Sequence, residues 1–294
     1  MRVLHIVGTY DKRWAISNRA HQLAAAQNAL GLCEADIAGK QGQIDSAGYD
    51  LLHVHSYILL WQGHVKDALK HAPYGFEVIS ERTLANADYR SRAAPYLKDA
   101  AFGIVKNPRM LECLTPYMRV APCFVPNGVD VELFAPRTLR VGWCGNKRHD
   151  SLVYKGVALI REAVDLLAAQ WGGVVDVEFV EDPGDCPRTV LPQSDIAEWY
   201  RTLDLYVQAS EGEGCSNTVN EALATGLPVV STDAGIAHEL AMECDLEIVP
   251  RTTAGIKAGI EAALSPTVAR RRAMMDRSWG QIARAYQGIY EAAL

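Results

Sequence analysis

Residues 210–239 read SEGEGCSNTVNEALATGLPVVSTDAGIAHE, and this stretch indicates how the surrounding chain folds. It follows an apolar run at residues 205–209, which is typical of a buried strand. Small and polar residues then form a loop, and Ser216 or Asn217 is a suitable N-cap for a helix. Gly226 is placed to end that helix, and the Leu-Pro-Val-Val run after it starts a second buried strand. The order of strand, loop, helix and strand predicts a parallel α/β unit.

The same loop carries groups that suit a ligand. Glycines on either side of Glu213 allow backbone amides to approach a bound molecule, and the free N–H groups of the helix's first turn favour an anion. Glu213 in the loop and Glu221 on the helix can accept hydrogen bonds from hydroxyl groups. These features favour a ligand with a phosphate and several hydroxyls. An ordinary βαβ unit with a solvated acidic loop is the alternative.

The stretch resembles the donor-binding signature of retaining glycosyltransferases with the GT-B fold, the large family four, group 1, which includes many lipopolysaccharide and exopolysaccharide transferases. That signature reads roughly S-x-x-E-G-F-x-x-x-x-x-E-A-x-A-x-G-x-P-V-V. The resemblance implies that Glu213 holds the donor sugar and Glu221 the ribose of the nucleotide, with Gly214, Cys215, Ser216 and Asn217 around the donor. Cys215 stands where the family has an aromatic residue. The matching residues are Ser210, Glu213, Gly214, Glu221, Ala222, Ala224, Gly226, Pro228, Val229 and Val230.

Composition limits the classes of protein to which the chain can belong. Its 294 residues suit two domains of the usual ~100–200 residues, and 49% hydrophobic content argues against disorder. A net charge of −6 argues against a nucleic-acid binder. The seven cysteines lack a C-x-x-C pair, which argues against a zinc site or a disulfide framework. No apolar stretch reaches the ~20 residues of a spanning helix, so we expect a cytoplasmic protein, compatible with peripheral contact at an inner membrane face.

The order of predicted elements indicates two domains. Strand and helix signals alternate, and the pattern restarts near Leu139, which predicts two doubly wound Rossmann-like α/β domains. FVPNGVDVELFAP (124–136) resembles the interdomain segment of the family, and SWGQIARAYQGIYEAAL (278–294) its closing helix. The resemblance implies an acceptor-side domain at 1–135, a nucleotide-sugar-binding domain at 136–277, a central cleft, and a final helix at 278–294 that packs back on the first domain. Predicted strands lie at 2–7, 50–54, 76–80, 102–106, 120–125, 139–145, 174–180, 205–209 and 247–250, and predicted helices at 16–30, 57–71, 155–170, 196–202 and 254–264.

A second candidate site lies in VGWCGNKRHDSLVYKGVALI, residues 141–160. A lysine near a helix N-terminus is disfavoured by the helix dipole by ~0.3–1 kcal/mol, so Lys155 indicates a bound anion. In the family, an arginine after a strand-ending glycine and a lysine before a glycine hold the donor diphosphate. Lys155 matches that lysine and Gly145 the first glycine, but Asn146 replaces the arginine. Either Lys147 or Arg148 substitutes for this arginine, or the protein holds the diphosphate less tightly. The alternative interpretation of the segment is a solvated basic loop without a ligand.

DLLHVHS (50–56) resembles the D-x-x-H-x-H strand of the family. His53 is best interpreted as a packed core histidine. His55, nearer the strand end, is the better candidate for the cleft and is placed with the catalytic residues Lys155 and Glu213. Many relatives have a further histidine after the next strand, and here Ser80, Glu81 or Arg82 fills its place.

These features predict a retaining glycosyltransferase that moves a sugar from a nucleotide-diphosphate sugar to a hydroxyl of a glycan, glycolipid or small molecule. The resemblance implies front-face substitution, in which the leaving phosphate accepts the acceptor's proton, and it implies neither a cofactor nor a metal. No carboxylate pair of the D-x-D kind is visible. The alternatives are a nucleotide-sugar epimerase or hydrolase of the same fold, and a non-catalytic nucleotide-sugar-binding protein.

Overall fold

The computed structural model describes residues 1–13, 15–39, 43–184 and 192–294, and Cys186 lies outside this part of the chain. The described chain forms two compact units. The first unit contains Met1–Phe134 and Asp276–Leu294, and the second contains Ala135–Met275.

The first unit is built on a six-stranded parallel sheet with the order β2-β1-β3-β4-β5-β6. Strands β3, β4 and β5 are buried along their whole length, as expected for a parallel sheet covered on both faces. The elements are β1 (Arg2–Val7), α1 (Ala15–Ala29), β2 (Glu34–Gly39), β3 (Leu51–Val54), α2 (Gly63–Ala68), β4 (Tyr74–Val78), α3 (Glu81–Ala85), α4 (Ala87–Asp99), β5 (Phe102–Val105), α5 (Arg109–Leu114) and β6 (Cys123–Phe124), with short 3₁₀ turns at Tyr57–Leu59 and Thr115–Tyr117.

Several elements of this unit differ from the sequence predictions, and helices α3, α4 and α5 were not predicted. The predicted helix at 57–71 is a 3₁₀ turn followed by α2, because Gly63 has a positive φ of 33° that interrupts a continuous helix. Strand β2 was not predicted, since it has a weak apolar pattern and lies at the sheet edge, where β1 is its only partner among the described residues. The predicted strand at 120–125 is only Cys123–Phe124.

The second unit has a five-stranded parallel sheet with the order β11-β10-β9-β7-β8. Its long helix α11 extends beyond the predicted end at residue 264, because Leu264 and Val268 both pack in the core. The elements are β7 (Leu139–Trp143), α6 (His149–Tyr154), α7 (Val157–Trp171), β8 (Val177–Glu181), α8 (Gln193–Tyr200), β9 (Leu205–Gln208), α9 (Asn217–Ala224), β10 (Val229–Thr232), α10 (Ala237–Glu243), β11 (Leu246–Val249) and α11 (Thr253–Met275). The predicted architecture of two doubly wound α/β sheets is confirmed.

The last helix, α12 (Trp279–Ala293), belongs to the first unit. Ser278 caps it by accepting a hydrogen bond from the backbone N–H of Gln281. Its buried face consists of Ile282, Ala283, Tyr286 and Tyr290, at the spacing of one helix face. These residues share a core cluster with residues of β1, α1 and β5. Within the described residues, no helix has both the length and the apolar character needed to cross a membrane.

Candidate functional site

The strand order of the second unit marks a crevice at the carboxyl edge of its sheet. β7 and β9 are neighbours in the sheet. The connection from β7 leads to β8 on one side, and the connection from β9 leads to β10 on the other side. In doubly wound folds, ligands bind outside the carboxyl ends of the strands at such a switch point. The segments that follow β7 and β9 carry Lys155 and Glu213, respectively.

The side chains of Lys155 and Glu213 meet at this point. The amine of Lys155 donates to a carboxylate oxygen of Glu213 in an ion pair. Their side chains are 27% and 16% exposed, so the pair is largely buried but accessible from one side. Lys155 precedes α7 rather than lying within it, because Gly156 is the N-cap of that helix. A ligand that enters from the exposed side can therefore contact both the amine of Lys155 and the carboxylate of Glu213.

Backbone contacts dock the turn that carries Lys155 onto the segment after β9. Gly156 has a φ of 66°, and a Cβ atom there would lie 2.4 Å from the carbonyl oxygen of Ala209, so only glycine fits. The hydroxyl of Tyr154 donates to the Gly212 carbonyl at 2.6 Å, and its own carbonyl accepts from the Glu211 N–H at 3.1 Å. The close approach of Lys155 and Glu213 follows from these contacts.

The loop before α9 leaves the first turn of that helix open to a ligand. Ser216 is the N-cap, and its hydroxyl donates to Gln208 at 2.5 Å instead of capping the helix. Asn217 is the first helical residue, and Cys215 is exposed. From the other side, Gly235 packs so closely that an added Cβ would lie 2.2 Å from the Gly214 carbonyl. The uncapped amide groups and the helix dipole give this turn a preference for anions.

Glu221 lies one turn farther along α9, beside a cavity of about 530 Å³. The Tyr200 hydroxyl is 3.2 Å from its carboxylate and 3.0 Å from the Thr218 carbonyl oxygen. Burial raises the pKa of Tyr200, so this hydroxyl stays protonated and donates. Cys144 also lines the cavity, and burial together with nearby Asp182 raises the pKa of its thiol to about 12. Glu221 therefore presents a carboxylate to a cavity that is large enough for a nucleoside.

The two cationic side chains after β7, Lys147 and Arg148, have different surroundings. The amine of Lys147 donates to the carbonyl oxygens of Asp182 and Gly184, each at 2.7 Å, and therefore holds the loop after β8. Asn146 accepts from the backbone N–H of Arg148 at 3.0 Å, and the Arg148 side chain is exposed. Gly145 donates its N–H to Asp182 at 3.3 Å. Of the two cations considered from the sequence, Arg148 has the side chain that reaches solvent.

In the first unit, both histidines of the β3 segment are buried. His53 is 0% exposed and accords with its interpretation as a core histidine, and His55 is 1% exposed rather than open at the sheet edge. His55 Nε2 lies 2.8 Å from His5 Nδ1, and both histidines of the segment face Glu77, with N–O distances of 3.5 and 3.6 Å. The amine of Lys106 lies 3.0 Å from Glu77. Sequence reasoning missed His5, Glu77 and Lys106, although a glutamate within the apolar run FEVIS was a visible signal.

The three histidines form a group with metal-ligand atoms within 4.8 Å of one another. Four of their six nitrogens already have hydrogen-bond partners, since His5 and His55 contact each other, His5 Nε2 contacts Gln27 at 2.8 Å and His53 Nδ1 contacts the Tyr290 hydroxyl at 2.7 Å. The other two, His53 Nε2 and His55 Nδ1, face the carboxylate of Glu77 at 3.5 and 3.6 Å. Two cations, Lys106 and Arg19, already lie near the neighbouring carboxylate of Glu77. The arrangement suits a buried hydrogen-bond network between the sheet and α12 better than a metal centre.

Comparison with known proteins agrees with the geometry of the second unit. Residues 139–265 match the family described as Glycosyl transferases group 1. The chain is 28% identical over 188 residues to the GDP-mannose-dependent alpha-mannosyltransferase of Mycobacterium tuberculosis (strain CDC 1551 / Oshkosh), covering 56% of this chain and 50% of the relative. It is 51% identical over 47 residues to the lipopolysaccharide core biosynthesis mannosyltransferase LpsB of Rhizobium meliloti (strain 1021), covering 16% of this chain and 13% of the relative. The matches thus span about half, or less, of the length of these curated relatives.

Solved structures that align with this chain include sucrose-phosphate synthase from Thermosynechococcus elongatus and HepE from Anabaena in complex with UDP. The first has 14% identity and a TM-score of 0.41 over 99% of this chain and 98% of that one. The second has 14% identity and a TM-score of 0.33 over 100% of this chain and 97% of that one. The match over residues 139–265 confirms the resemblance found in the sequence: this part of the chain is similar to the group 1 glycosyltransferases.

Proposed function

We propose that the protein transfers a sugar from a nucleoside-diphosphate sugar to an acceptor hydroxyl, with retention of the anomeric configuration. The observation that carries this proposal is the contact between Lys155 and Glu213 beside the uncapped first turn of α9. Around one crevice lie a cation, a carboxylate and free amides, the three kinds of group that a nucleotide sugar requires.

The donor's parts match these groups in order along the crevice. The ribose hydroxyls donate to Glu221, whose carboxylate lines the large cavity. The diphosphate lies against the first turn of α9 and Lys155, where the dipole and the amine both favour negative charge. The sugar hydroxyls contact Glu213. When the donor binds, the ion pair between Lys155 and Glu213 is replaced by two contacts: the amine of Lys155 binds the diphosphate, and the carboxylate of Glu213 accepts hydrogen bonds from the sugar hydroxyls.

The reaction then needs no protein nucleophile. The acceptor oxygen forms a bond to the anomeric carbon on the face from which the phosphate leaves, and the bond between that carbon and the phosphate oxygen breaks. The acceptor's proton passes to the departing phosphate oxygen, so charge and atoms balance. Lys155 and the α9 amides stabilise the negative charge that develops on the diphosphate. No metal or other cofactor is required by this scheme.

Asn146 affects how the diphosphate is held. With no arginine after Gly145 and with the amine of Lys147 bound to two carbonyls, Arg148 is the remaining cation of this segment. Its exposed side chain can turn toward a bound diphosphate. The grip therefore depends mainly on Lys155.

The acceptor is proposed to be a glycan or glycolipid bound at the carboxyl edge of the first unit's sheet. Ser80, Glu81 and Arg82 follow β4 at that edge, and Glu81 accepts a hydrogen bond from Asn107 at 2.7 Å. Buried His55 would act there through the Glu77 network rather than by touching the acceptor. Peripheral contact with a membrane would accompany a glycolipid acceptor.

A donor screen tests the proposal. GDP-mannose is the first donor to try, because curated relatives are named as GDP-mannose-dependent mannosyltransferases. UDP-glucose, which differs in both base and sugar, is the comparison donor. Release of nucleoside diphosphate with glycan or glycolipid acceptors, together with the product's anomeric configuration by NMR, measures transfer. An inverted product refutes retention. Nucleotide binding without transfer indicates a binding protein, and sugar conversion without acceptor indicates an epimerase or hydrolase.

A further inference from the structure

The guanidinium of Arg251 contacts both segments that carry the proposed donor residues. It follows β11 and lies on neither segment. Its Nε donates to the Ala209 carbonyl at 2.9 Å, and its Nη2 donates to the carbonyls of Val153 and Tyr154 at 3.0 and 3.2 Å. Its Nη1 lies 3.3 Å from a carboxylate oxygen of Glu211. One side chain thus bridges the turn before Lys155 and the loop before Glu213.

The geometry explains why this position needs an arginine. β11 and β9 are separated by β10, so their ends lie two strand spacings apart, roughly 10 Å. Arginine has the reach and presents five N–H donors in a rigid, planar fork. A lysine has one nitrogen and cannot satisfy four acceptors on two segments. The Arg251 side chain is 29% exposed, so the bridge is partly shielded from solvent.

We propose that Arg251 is a positioning residue of the donor site, which keeps the amine of Lys155 against the carboxylate of Glu213. This inference rests on the proposed function for its catalytic consequence, although the positioning itself does not. Arg251 touches the carbonyl of Tyr154, the residue before Lys155, and the side chain of Glu211, two residues before Glu213. Losing the guanidinium removes one of the two donors at each of the Val153 and Tyr154 carbonyls, which then keep only the backbone N–H groups of Gly156 and Glu211, and this loosens the turn before Lys155.

The first experiment measures the position of Lys155 without any reaction. Trace acylation with acetic anhydride, followed by mass spectrometry, reports how accessible each lysine amine is. Glu213→Gln removes the ion pair and sets the labelling rate of a released Lys155. Arg251→Met, which keeps the length of the stem, is expected to raise Lys155 labelling toward that rate, by about threefold or more. Arg271→Met is the matched control, since Arg271 donates to the Val174 carbonyl at 3.2 Å, outside the site. Parental labelling in Arg251→Met overturns the proposal.

The second experiment measures the consequence for transfer. Arg251→Met should lower kcat about tenfold while the Kd for the nucleoside diphosphate changes less than about threefold. In a Lys155→Ala background the same change should lower kcat by less than about threefold, because its effect passes through Lys155. Arg251→Lys should restore only part of the rate.

The outcomes separate the two proposals. If labelling rises in Arg251→Met but the parental protein transfers no sugar, the proposed function fails and the positioning role stands. If labelling rises and kcat is unchanged, or if the two substitutions act additively on kcat, the role of Arg251 in transfer is overturned. A fall in melting temperature with parental labelling and parental kcat makes Arg251 structural only.

Discussion

The hydroxyl of Tyr286, in the last helix, donates to the carboxylate of Glu77, on the fourth strand, although 209 positions separate them. Glu77 is 2% exposed, and the amine of Lys106 lies 3.0 Å from it. This relationship ties α12 to the sheet of the first unit through a charged group rather than through apolar packing alone. A buried carboxylate is stable only while such partners remain.

Tyr286→Phe is therefore expected to lower the free energy of unfolding by about 1.5–3 kcal/mol, the usual loss for a hydrogen bond to a charged group. Urea denaturation at pH 7 measures it. Tyr10→Phe is the control, because Tyr10 is 57% exposed and its hydroxyl donates to the Ile37 carbonyl at the surface. Equal small effects of the two changes would contradict a special role for the contact with Glu77.

The histidine network should make stability depend steeply on pH. Burial lowers the pKa of His5 and His53 to about 3 and that of His55 to about 4, below the value of 6.5 in an unfolded chain. Between these values the unfolded state binds more protons, so stability falls as the pH falls below 6.5, with a slope approaching about 4 kcal/mol per pH unit for three such groups. Burial opposes ionisation of Glu77, but Lys106 and the histidines hold its pKa well below 4.5, which adds a further loss below that pH.

Urea denaturation at pH 7, 6 and 5 checks this slope. His5→Asn is expected to reduce it by roughly a third, since one of three groups is removed. His71→Asn, a change at an exposed histidine, should leave it unaltered. A parental free energy of unfolding that stays level from pH 7 to 5 is the contrary result.

Lys155→Ala should lower the turnover rate by about 100-fold or more and donor affinity much less, because the diphosphate gains charge as the sugar leaves. Steady-state kinetics together with calorimetry of the nucleoside diphosphate separate the two effects. Lys257→Ala is the matched control, because Lys257 also pairs with a carboxylate, that of Glu261 at 3.1 Å, on a different surface. Near-parental transfer by Lys155→Ala would assign the diphosphate grip to Arg148.

Glu221→Ala should weaken binding of the free nucleoside diphosphate by about 1.5–3 kcal/mol, since a carboxylate that accepts ribose hydroxyls makes charge-assisted hydrogen bonds. Calorimetry measures this loss directly. Glu239→Ala, on α10, serves as a control for removing an acidic side chain from the same unit. Unchanged affinity of Glu221→Ala would remove this residue from the ribose position.

Glu213→Gln should depress turnover while the affinity for nucleoside diphosphate stays within about threefold of the parental value, because the residue contacts only the transferred sugar. Kinetics with the preferred donor and calorimetry with the free diphosphate give the comparison. Glu211→Gln tests the same loop two positions earlier, where the side chain is 58% exposed. Equal losses of rate and affinity in Glu213→Gln would mean that the loop had collapsed or that the roles of Glu213 and Glu221 are reversed.

The sequence by itself determined the elements whose signals are local. The apolar run before Ser210 and the glycine after α9 each restrict the backbone over a few residues, so β9 and α9 could be predicted from the residues themselves. The prediction of α12 came from the resemblance of residues 278–294 to the closing helix of the family. Edge strand β2 and the break at Gly63 were missed, because pairing with β1 and a positive φ are not encoded in a local apolar pattern.

The tertiary structure alone decided which side chains meet. Lys155 and Glu213 are 58 positions apart, and their contact depends on β7 and β9 being neighbours in the sheet. The use of Lys147 as a loop anchor, the burial of His55 beside Glu77 and the bridge from Arg251 also depend on strand order and loop docking. Composition and periodicity fix elements because backbone preferences are short-range, whereas a site is set by the long-range packing that brings several loop ends to one edge.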